Sequence, residues 1–390
     1  MEPVTHFLTG ACLSRTGLNR RAAYTTLAMV AGAEFPDIDT LWSVDGPVAG
    51  FTHHRGVTHT FIGVPVEAAI IVAAIYGIHR WRMAREANAP RPQPAAPLHW
   101  GLLYSFTLLA LLSHLFLDYT NNYGIRPFFP FNPHWYAASI VFIFDPLIFV
   151  LLLAALVLPA IFRLVSSEVG ARRQPFAARG WAIAALLGVV ALWTLRETQH
   201  SRAIQLAMAQ SVAAPVVSHD STQTVDDSAP PDSPAPSDPT PVYLTAQRAL
   251  ASPDPLSPFR WYTVTDFGPF YQLGKADSSM GVVVPSQVTQ PKLNPSPALL
   301  AAEASRLGHA YLDWSSMPFI TVTSASTAGQ DDLGDILAAG HTIVQFADPR
   351  FMGDTLLLGS GGRTPLSAKV ELDANNRVVR QSMDGREEGQ

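Results

Sequence analysis

The sequence predicts an all-α polytopic membrane domain followed by a small α+β soluble domain. Charged residues make up 15% of the 390 residues and hydrophobic residues 48%. A charged fraction so far below the roughly 25% of globular domains is typical of a membrane protein. A stretch rich in Pro, Ser and Asp then separates an apolar half of the chain from a half with strand-like alternation, which places a boundary between two kinds of domain.

The predicted membrane segments lie in the first half of the chain. Two apolar runs within residues 4–35 are each about a dozen residues long, shorter than the roughly 20 that cross a bilayer, and favour a shallow helical hairpin. Four longer apolar runs predict spans at 58–79, 98–119, 140–164 and 181–195. Counting the hairpin as one segment, we therefore expect a helical domain of five segments over residues 1–200.

Arginine-rich loops orient these segments. Short loops at 80–91 and 163–179 carry most of the arginines of this half, and such loops stay in the cytoplasm. The odd number of crossings after the second loop then predicts that the C-terminal domain is extracytoplasmic.

The second half of the chain predicts a linker and a folded domain. Residues 201–241 form the linker and residues 242–390 the soluble domain, because low hydrophobicity with many Pro and Ser residues prevents the linker from packing. Within the soluble domain we predict strands, one helix and a turn, at residues 259–266, 341–346 and 366–373 for the strands, 296–312 for the helix and 373–376 for the turn.

Charge and cysteine content exclude some classes of function. A net charge of −5 and a pI near 6.2 argue against a nucleic-acid partner, because binding to phosphates requires a concentrated basic surface. Cys12 is the single cysteine, so the chain cannot form an intrachain disulfide or a multi-cysteine zinc site. Any metal ligands must therefore be histidines and carboxylates.

Costly polar residues are concentrated early in the chain. Asp37, Asp39, His53, His54 and His59 lie within 23 residues between apolar segments, where charged groups are expensive unless they bind something. Because adjacent side chains diverge, we prefer His54 to His53 as a site residue. An ordinary Pro-Asp turn is the alternative explanation for either aspartate.

A second polar pair lies inside a predicted span. His114 and Asp118 are four residues apart, so they lie on one face of a helix; a polar pair at the membrane interface is the alternative. In the predicted topology six residues meet at the same outer end of the bundle: Asp37, Asp39, His54, His59, His114 and Asp118. Imidazole and carboxylate groups suit zinc, manganese or iron.

Three further residues are candidates with open alternatives. Arg55 is suited to bind an anionic oxygen or to snorkel to the interface. Glu67 lies deep in its predicted span, where it is either a functional group or a hydrogen-bond partner for a neighbouring helix. Asp145 is a catalytic candidate, although capping of the following helix explains it equally well.

Four motifs within the first 150 residues resemble a known family: Thr5-His6, Pro36-Asp37-Ile38-Asp39, His54-Arg55-Gly56-Val57-Thr58-His59 and Ser113-His114-Leu115-Phe116-Leu117-Asp118. Together they resemble the YdjM-type bacterial membrane-bound metal-dependent hydrolases. The resemblance implies a bacterial inner-membrane location and makes His6 a further metal ligand. The Asp-Pro pair that ends the family pattern is matched by Asp145-Pro146. The family usually has Ser after the last His of the His-Arg-Gly motif, and this chain has Thr60 there, a change that leaves the ligands intact.

The sequence thus predicts a membrane-bound hydrolase in which a metal-activated water attacks a phosphoester or lipid-like substrate, with membrane lipid as an expected partner. Zinc is the favoured metal, with manganese or iron as alternatives. The predicted ligands are His6, Asp37, Asp39, His54, His59, His114 and Asp118, and the predicted catalytic residues are Asp39, Arg55 and Asp145. The alternative is a non-enzymatic membrane protein with a structural metal site and a partner-binding soluble domain. A transporter is disfavoured, because the inner halves of the spans are apolar apart from Glu67.

Overall fold

The N-terminal half of the chain is helical. The computed structural model describes residues 1–85, 96–168, 179–213, 243–325, 329–330, 336–352 and 364–388. Helices α1 to α7 are Pro3–Arg15, Thr25–Glu34, Pro47–His53, Gly63–Arg85, Trp100–Thr120, Pro146–Glu168 and Arg179–Met208. Short 3-10 segments at Phe35–Asp45 and Val57–His59 lie on either side of α3.

Within the described residues, three helices are long and apolar enough to cross a membrane: α4, α5 and α7. Helix α6 adds a shorter apolar stretch over Pro146–Phe162. The predicted all-α membrane domain is confirmed. Several boundaries differ from the prediction. Helix α4 runs from Gly63 to Arg85 instead of 58–79, and α6 begins only at Pro146, where proline suits the first helical turn. Helix α7 continues to Met208, past the predicted domain boundary at residue 200.

Small residues let the N-terminal hairpin pack tightly against the spans. A Cβ atom on Gly10 would lie 2.6 Å from the Met29 carbonyl oxygen, and one on Gly32 would lie 3.2 Å from the Thr107 carbonyl oxygen. Helix α2 therefore lies in close backbone contact with α1 on one side and α5 on the other. This packing brings the C-terminal end of α2 next to the last turns of α5.

The C-terminal part contains two larger antiparallel sheets, which confirms the predicted α+β domain. The strands β1 to β13 are Ser211–Ala213, Tyr243–Thr245, Arg248–Pro253, Arg260–Asp266, Phe270–Asp277, Val282–Pro291, Phe319–Ser324, Gly329–Gln330, Ile336–Leu337, Thr342–Ala347, Ala368–Leu372, Val378–Met383 and Arg386–Glu387. One sheet has the order β3-β4-β5-β6 and the other β13-β12-β11-β10-β7, while β1 pairs with β2 and β8 with β9.

Two short helices, α8 (Pro297–Glu303) and α9 (Arg306–Trp314), pack on the five-stranded sheet. The prediction of one continuous helix over 296–312 was wrong. Ser305 interrupts it, because its hydroxyl oxygen accepts a hydrogen bond from the Gly308 N–H and caps α9. The three predicted strands correspond to β4, β10 and β11, and the turn after β11 closes with a hydrogen bond from the Asn376 N–H to the Asp373 carbonyl.

Some predicted features lie outside the described residues. These are most of the linker, at 214–242, and much of both arginine-rich loops, at 86–95 and 169–178. The linker and the extracytoplasmic orientation of the soluble domain therefore stay predictions.

Candidate metal centre

Six predicted site residues come from four places in the helical domain. Asp37 and Asp39 lie in the 3-10 segment after α2, His54 directly follows α3, and His59 ends the segment before α4. His114 and Asp118 lie on the last two turns of α5. Because α2 and α4 both pack on α5, these chain segments meet at one end of the bundle.

Four of these side chains converge on one point. The His59 and His114 Nε2 atoms are 3.1 Å apart, and each lies 3.4 to 3.6 Å from an oxygen of Asp37 and of Asp118. All four donor atoms lie within 4.8 Å of one another. Donors bound to a tetrahedral zinc ion lie about 3.3 to 3.4 Å apart, so the five donor–donor distances of 3.1 to 3.6 Å are compatible with such an ion site.

Hydrogen bonds behind the histidines fix their orientation. His114 Nδ1 lies 2.7 Å from the Ala33 carbonyl oxygen, which can only accept, so Nδ1 donates and Nε2 presents a lone pair. His59 Nδ1 lies 3.2 Å from a carboxylate oxygen of Asp39, which orients its Nε2 in the same way. Asp118 Oδ2 is buried and has no hydrogen-bond partner among the described residues. Three lone-pair donors thus face one another in a buried space, an arrangement that a cation stabilises.

Asp39 contacts residues of the cluster but is not one of the four converging donors. Its Oδ1 lies 3.1 Å from His54 Nδ1, and its Oδ2 accepts a 2.6 Å hydrogen bond from the Arg55 backbone N–H. Burial alone would raise the pKa of the Asp39 carboxyl, but hydrogen bonds from His54 and His59 outweigh burial and hold the pKa well below its ordinary value. Asp39 is therefore ionised at neutral pH.

The guanidinium of Arg55 is buried beside the cluster. Its Nη2 lies 2.9 Å from Asp118 Oδ1 and its Nη1 donates to the Gly124 carbonyl oxygen at 2.7 Å. Burial lowers the pKa of Arg55 to about 10, which still leaves it charged at neutral pH. Its Nε has no hydrogen-bond partner within the described residues. Binding of a substrate anion by Arg55 stays a prediction, because protein acceptors already occupy both terminal nitrogens.

The charges around the cluster favour a divalent cation. With neutral imidazoles, as metal ligation requires, the carboxylates of Asp37, Asp39 and Asp118 oppose the guanidinium of Arg55. Burial lowers the pKa of the Met1 amino group, which contacts Asp118, well below its ordinary value, so this amino group is neutral and two negative charges stay uncompensated. A doubly charged ion would balance this set.

His6 lies next to the cluster, on the far side of Asp118. Its ring stacks on His114 with centroids 3.8 Å apart, and its Nε2 is 3.3 Å from Asp118 Oδ1. Within the part of the chain that the structure describes, neither ring nitrogen has a hydrogen-bond partner, although both are buried. The same carboxylate oxygen is contacted by the Met1 amino group. The ligand role that the resemblance implies for His6 stays a prediction.

Asp145 contacts the start of α6 and a residue of α7 and is not part of the cluster. Its Oδ1 accepts hydrogen bonds from the N–H groups of Leu147 and Ile148, which caps α6, and its Oδ2 lies 2.8 Å from Arg196 Nη2 on α7. These contacts account for a buried carboxylate without catalysis. Its catalytic role stays a prediction.

Sequence reasoning missed two of these partners, Asn121 and Arg196. Asn121 Oδ1 accepts from Arg55 Nη1 and from the Tyr123 N–H, and its Nδ2 lies 3.3 Å from Asp118 Oδ1. The sequence feature that could have identified Asn121 is the pair Asn121-Asn122 directly after an apolar helix. Arg196 follows the apolar run 181–195 immediately, where an interfacial arginine is the default interpretation.

Two adjoining cavities give access to this end of the bundle. The smaller, of about 720 Å³, is lined by Glu34, Asp37, His54 and Arg55. The larger, of about 1010 Å³, lies between the helical and soluble domains and also reaches His54 and Arg55. Asp37 is the most accessible of the four converging residues, with 16% of its side chain exposed against 0% for His59.

Comparisons with known proteins agree with the motifs. The YdjM inner membrane protein family matches residues 1–203. The chain is 35% identical over 130 residues to the uncharacterized protein YfhP of Bacillus subtilis (strain 168), an alignment that covers 33% of this chain and 35% of that relative. No solved structure matches. Because the family match spans more than half of the chain and every predicted metal ligand, the chain belongs to the YdjM inner membrane protein family.

Proposed function

We propose that this membrane protein is a metal-dependent hydrolase of phosphoesters. The single observation that carries the proposal is the tetrahedral convergence of His59, His114, Asp37 and Asp118 next to a cavity. Zinc is favoured, since two imidazole and two carboxylate donors suit it, and manganese or iron are alternatives.

The partial exposure of Asp37 favours a catalytic over a structural site. Structural metal sites are closed, whereas catalytic ones keep a position open to water or substrate. Asp37 borders the 720 Å³ cavity, while the other three donors are buried behind it. A divalent ion bound at such a site supplies a water of lowered pKa as the nucleophile.

The chain's own residues have separate tasks in this proposal. His59, His114, Asp37 and Asp118 hold the ion. Asp39 orients His59 through its Nδ1. Arg55 orients Asp118 and also contributes the positive charge that both cavities reach, so an anionic ester oxygen entering from either cavity is attracted toward the centre.

The second candidate is a structural metal site in a non-enzymatic membrane protein. It is supported by the number of protein donors, because four such donors already complete a tetrahedron. In that case the soluble domain would be the functional part and would bind a partner.

Elemental analysis and a hydrolysis assay separate the two candidates. We expect purified protein to carry a stoichiometric divalent metal, and His59→Ala and His114→Ala each to lose it, because each removes one corner of the tetrahedron. The exposed His53→Ala is the matched control and should retain the metal. With zinc restored, the wild type should hydrolyse bis(p-nitrophenyl) phosphate and the two ligand variants should not.

Stoichiometric metal without hydrolysis of this substrate would favour the structural site. Protein that contains no metal after purification and takes up none on titration would contradict both candidates.

A further inference from the structure

The metal centre lies near the level at which a bilayer changes from hydrocarbon to head groups. Helix α5 has 21 residues and is therefore about 31 Å long, close to the roughly 30 Å thickness of the hydrocarbon core. His114 is six residues from the C-terminal end of α5, which is about 9 Å along the helix axis. Ester and phosphate groups of membrane lipids lie just beyond the hydrocarbon core, so they are nearest to the end of α5 at which Asp118 is only two residues from the last helical residue.

The larger cavity has an apolar wall built by both domains. Tyr123, Phe142 and Phe144 line it from the helical domain, and Phe351, Leu366 and Met383 from the soluble domain. His54 and Arg55 line the same cavity and also the smaller one that Asp37 borders. Because the two cavities share His54 and Arg55, the polar end next to Asp37 adjoins the apolar wall, and a polar end beside an apolar wall is the polarity of an amphiphile.

The rim of the larger cavity is itself apolar and exposed. In the 3-10 segment 35–45, Leu41 is 64% exposed and Val44 is 85% exposed, while Thr40 and Ser43 of the same segment line the larger cavity. Large apolar side chains exposed at the end of a membrane bundle are favourable in the bilayer and unfavourable in water. We therefore place the cavity entrance at the membrane surface.

We infer that the cavity between the two domains binds a phospholipid taken from the surrounding bilayer, with its phosphate beside the metal centre and an acyl chain along the shared apolar wall. As a substrate assignment this rests on the proposed function. The reaction would be hydrolysis, in which water adds to phosphorus, the bond from phosphorus to one ester oxygen breaks, and the released alcohol takes up a proton from the water. The soluble domain then serves as one wall of the substrate site.

Photocrosslinking tests binding independently of turnover. Full-length protein in phosphatidylglycerol vesicles would be irradiated with a diacyl phospholipid that carries a diazirine in one acyl chain. We expect crosslinked peptides from the cavity walls of both domains, including those with Phe142 and Leu366. Phe144→Asp should lower the crosslink yield at least fivefold, because it places a charge on the apolar wall.

Phe259→Asp is the matched control, because Phe259 is similarly exposed, at 36% against 43% for Phe144, and does not line the cavity. It should leave the yield unchanged. Equal losses in both variants, or crosslinks confined to the outer faces of α4, α5 and α7, would overturn the lipid site.

Hydrolysis assays with zinc distinguish this inference from the proposed function. Cavity crosslinks without hydrolysis of either the vesicle lipid or bis(p-nitrophenyl) phosphate would support the lipid site and contradict the hydrolase. Hydrolysis of the soluble diester without cavity crosslinks would support the hydrolase and contradict the lipid site.

Discussion

Asp39 contacts three groups around the metal centre without being one of the four converging donors. It lies 3.1 Å from His54 Nδ1, 3.2 Å from His59 Nδ1 and 2.6 Å from the Arg55 backbone nitrogen. A carboxylate in this position fixes the tautomer of a ligating histidine and raises its basicity. Under the proposed function, Asp39 orients His59, and the predicted role of Asp39 as a ligand stays a prediction.

We expect Asp39→Asn to lower metal affinity by about 10- to 100-fold, the usual effect of removing such a partner, while the four donors remain in place. Competition with a chromophoric chelator measures the affinity. His53→Ala, an exposed histidine stacked on Trp42, is the control. An unchanged affinity in Asp39→Asn would show that the orientation of His59 does not depend on this carboxylate.

At the scale of elements, an ion pair joins the start of α6 to the middle of α7. Asp145 and Arg196 are both fully buried, with 2.8 Å between the carboxylate oxygen and the guanidinium nitrogen. The Arg196 Nη1 atom also lies 3.4 Å from the carbonyl oxygens of Ile140 and Asp254, so this guanidinium links the two helices to the loop before α6 and to the soluble domain. Removal of one partner leaves the other charge buried alone.

Arg196→Met should destabilise the protein by about 3 to 5 kcal/mol, the usual cost of breaking a buried ion pair, and Asp145→Asn in the same chain should restore part of that loss. Denaturant unfolding in detergent micelles measures both variants. Activity of the double variant then decides the role of Asp145: a stable protein with wild-type hydrolysis would exclude it from catalysis.

At the scale of the whole molecule, the soluble domain holds the loop that follows α5. The Trp314 indole N–H donates to the Tyr123 carbonyl oxygen at 3.0 Å, and Arg350 Nη1 donates to the Asn122 carbonyl oxygen at 3.0 Å. The Tyr123 ring lies 4.7 Å from the Arg55 guanidinium, which in turn contacts Asp118. A short chain of contacts thus runs from the soluble domain to Asp118 of the candidate metal centre.

Arg350→Gln should therefore weaken metal binding severalfold, because the loop that positions Arg55 loses its anchor. The chelator competition described for Asp39 measures this effect. Arg380→Gln is the control, since Arg380 also forms two ion pairs in the soluble domain, with Glu371 and Glu387, but these lie within its own sheet. Equal effects of the two substitutions would indicate a general loss of stability of the soluble domain.

Local patterns were enough to predict much of this molecule. The spacing of His114 and Asp118 placed both on one face of α5, and alternation predicted β4, β10 and β11. Contacts between distant parts of the chain could not be predicted in this way. The pairing of Asp145 with Arg196, and that of Asn122 with Ser252 across 130 positions, leave no local signature, because each residue alone looks like a cap or an interfacial polar group. Capping by Ser305 also went unnoticed, since the flanking residues are all compatible with a helix.

The large sequence separation of the domain contacts has a consequence for biosynthesis. Tyr123 and Trp314 are 191 positions apart, and chains emerge and fold from the N-terminus onward. The four converging donors are complete at Asp118, so they leave the ribosome well before the residues that later cover the neighbouring loop. The candidate metal centre can therefore assemble before the soluble domain docks beside it.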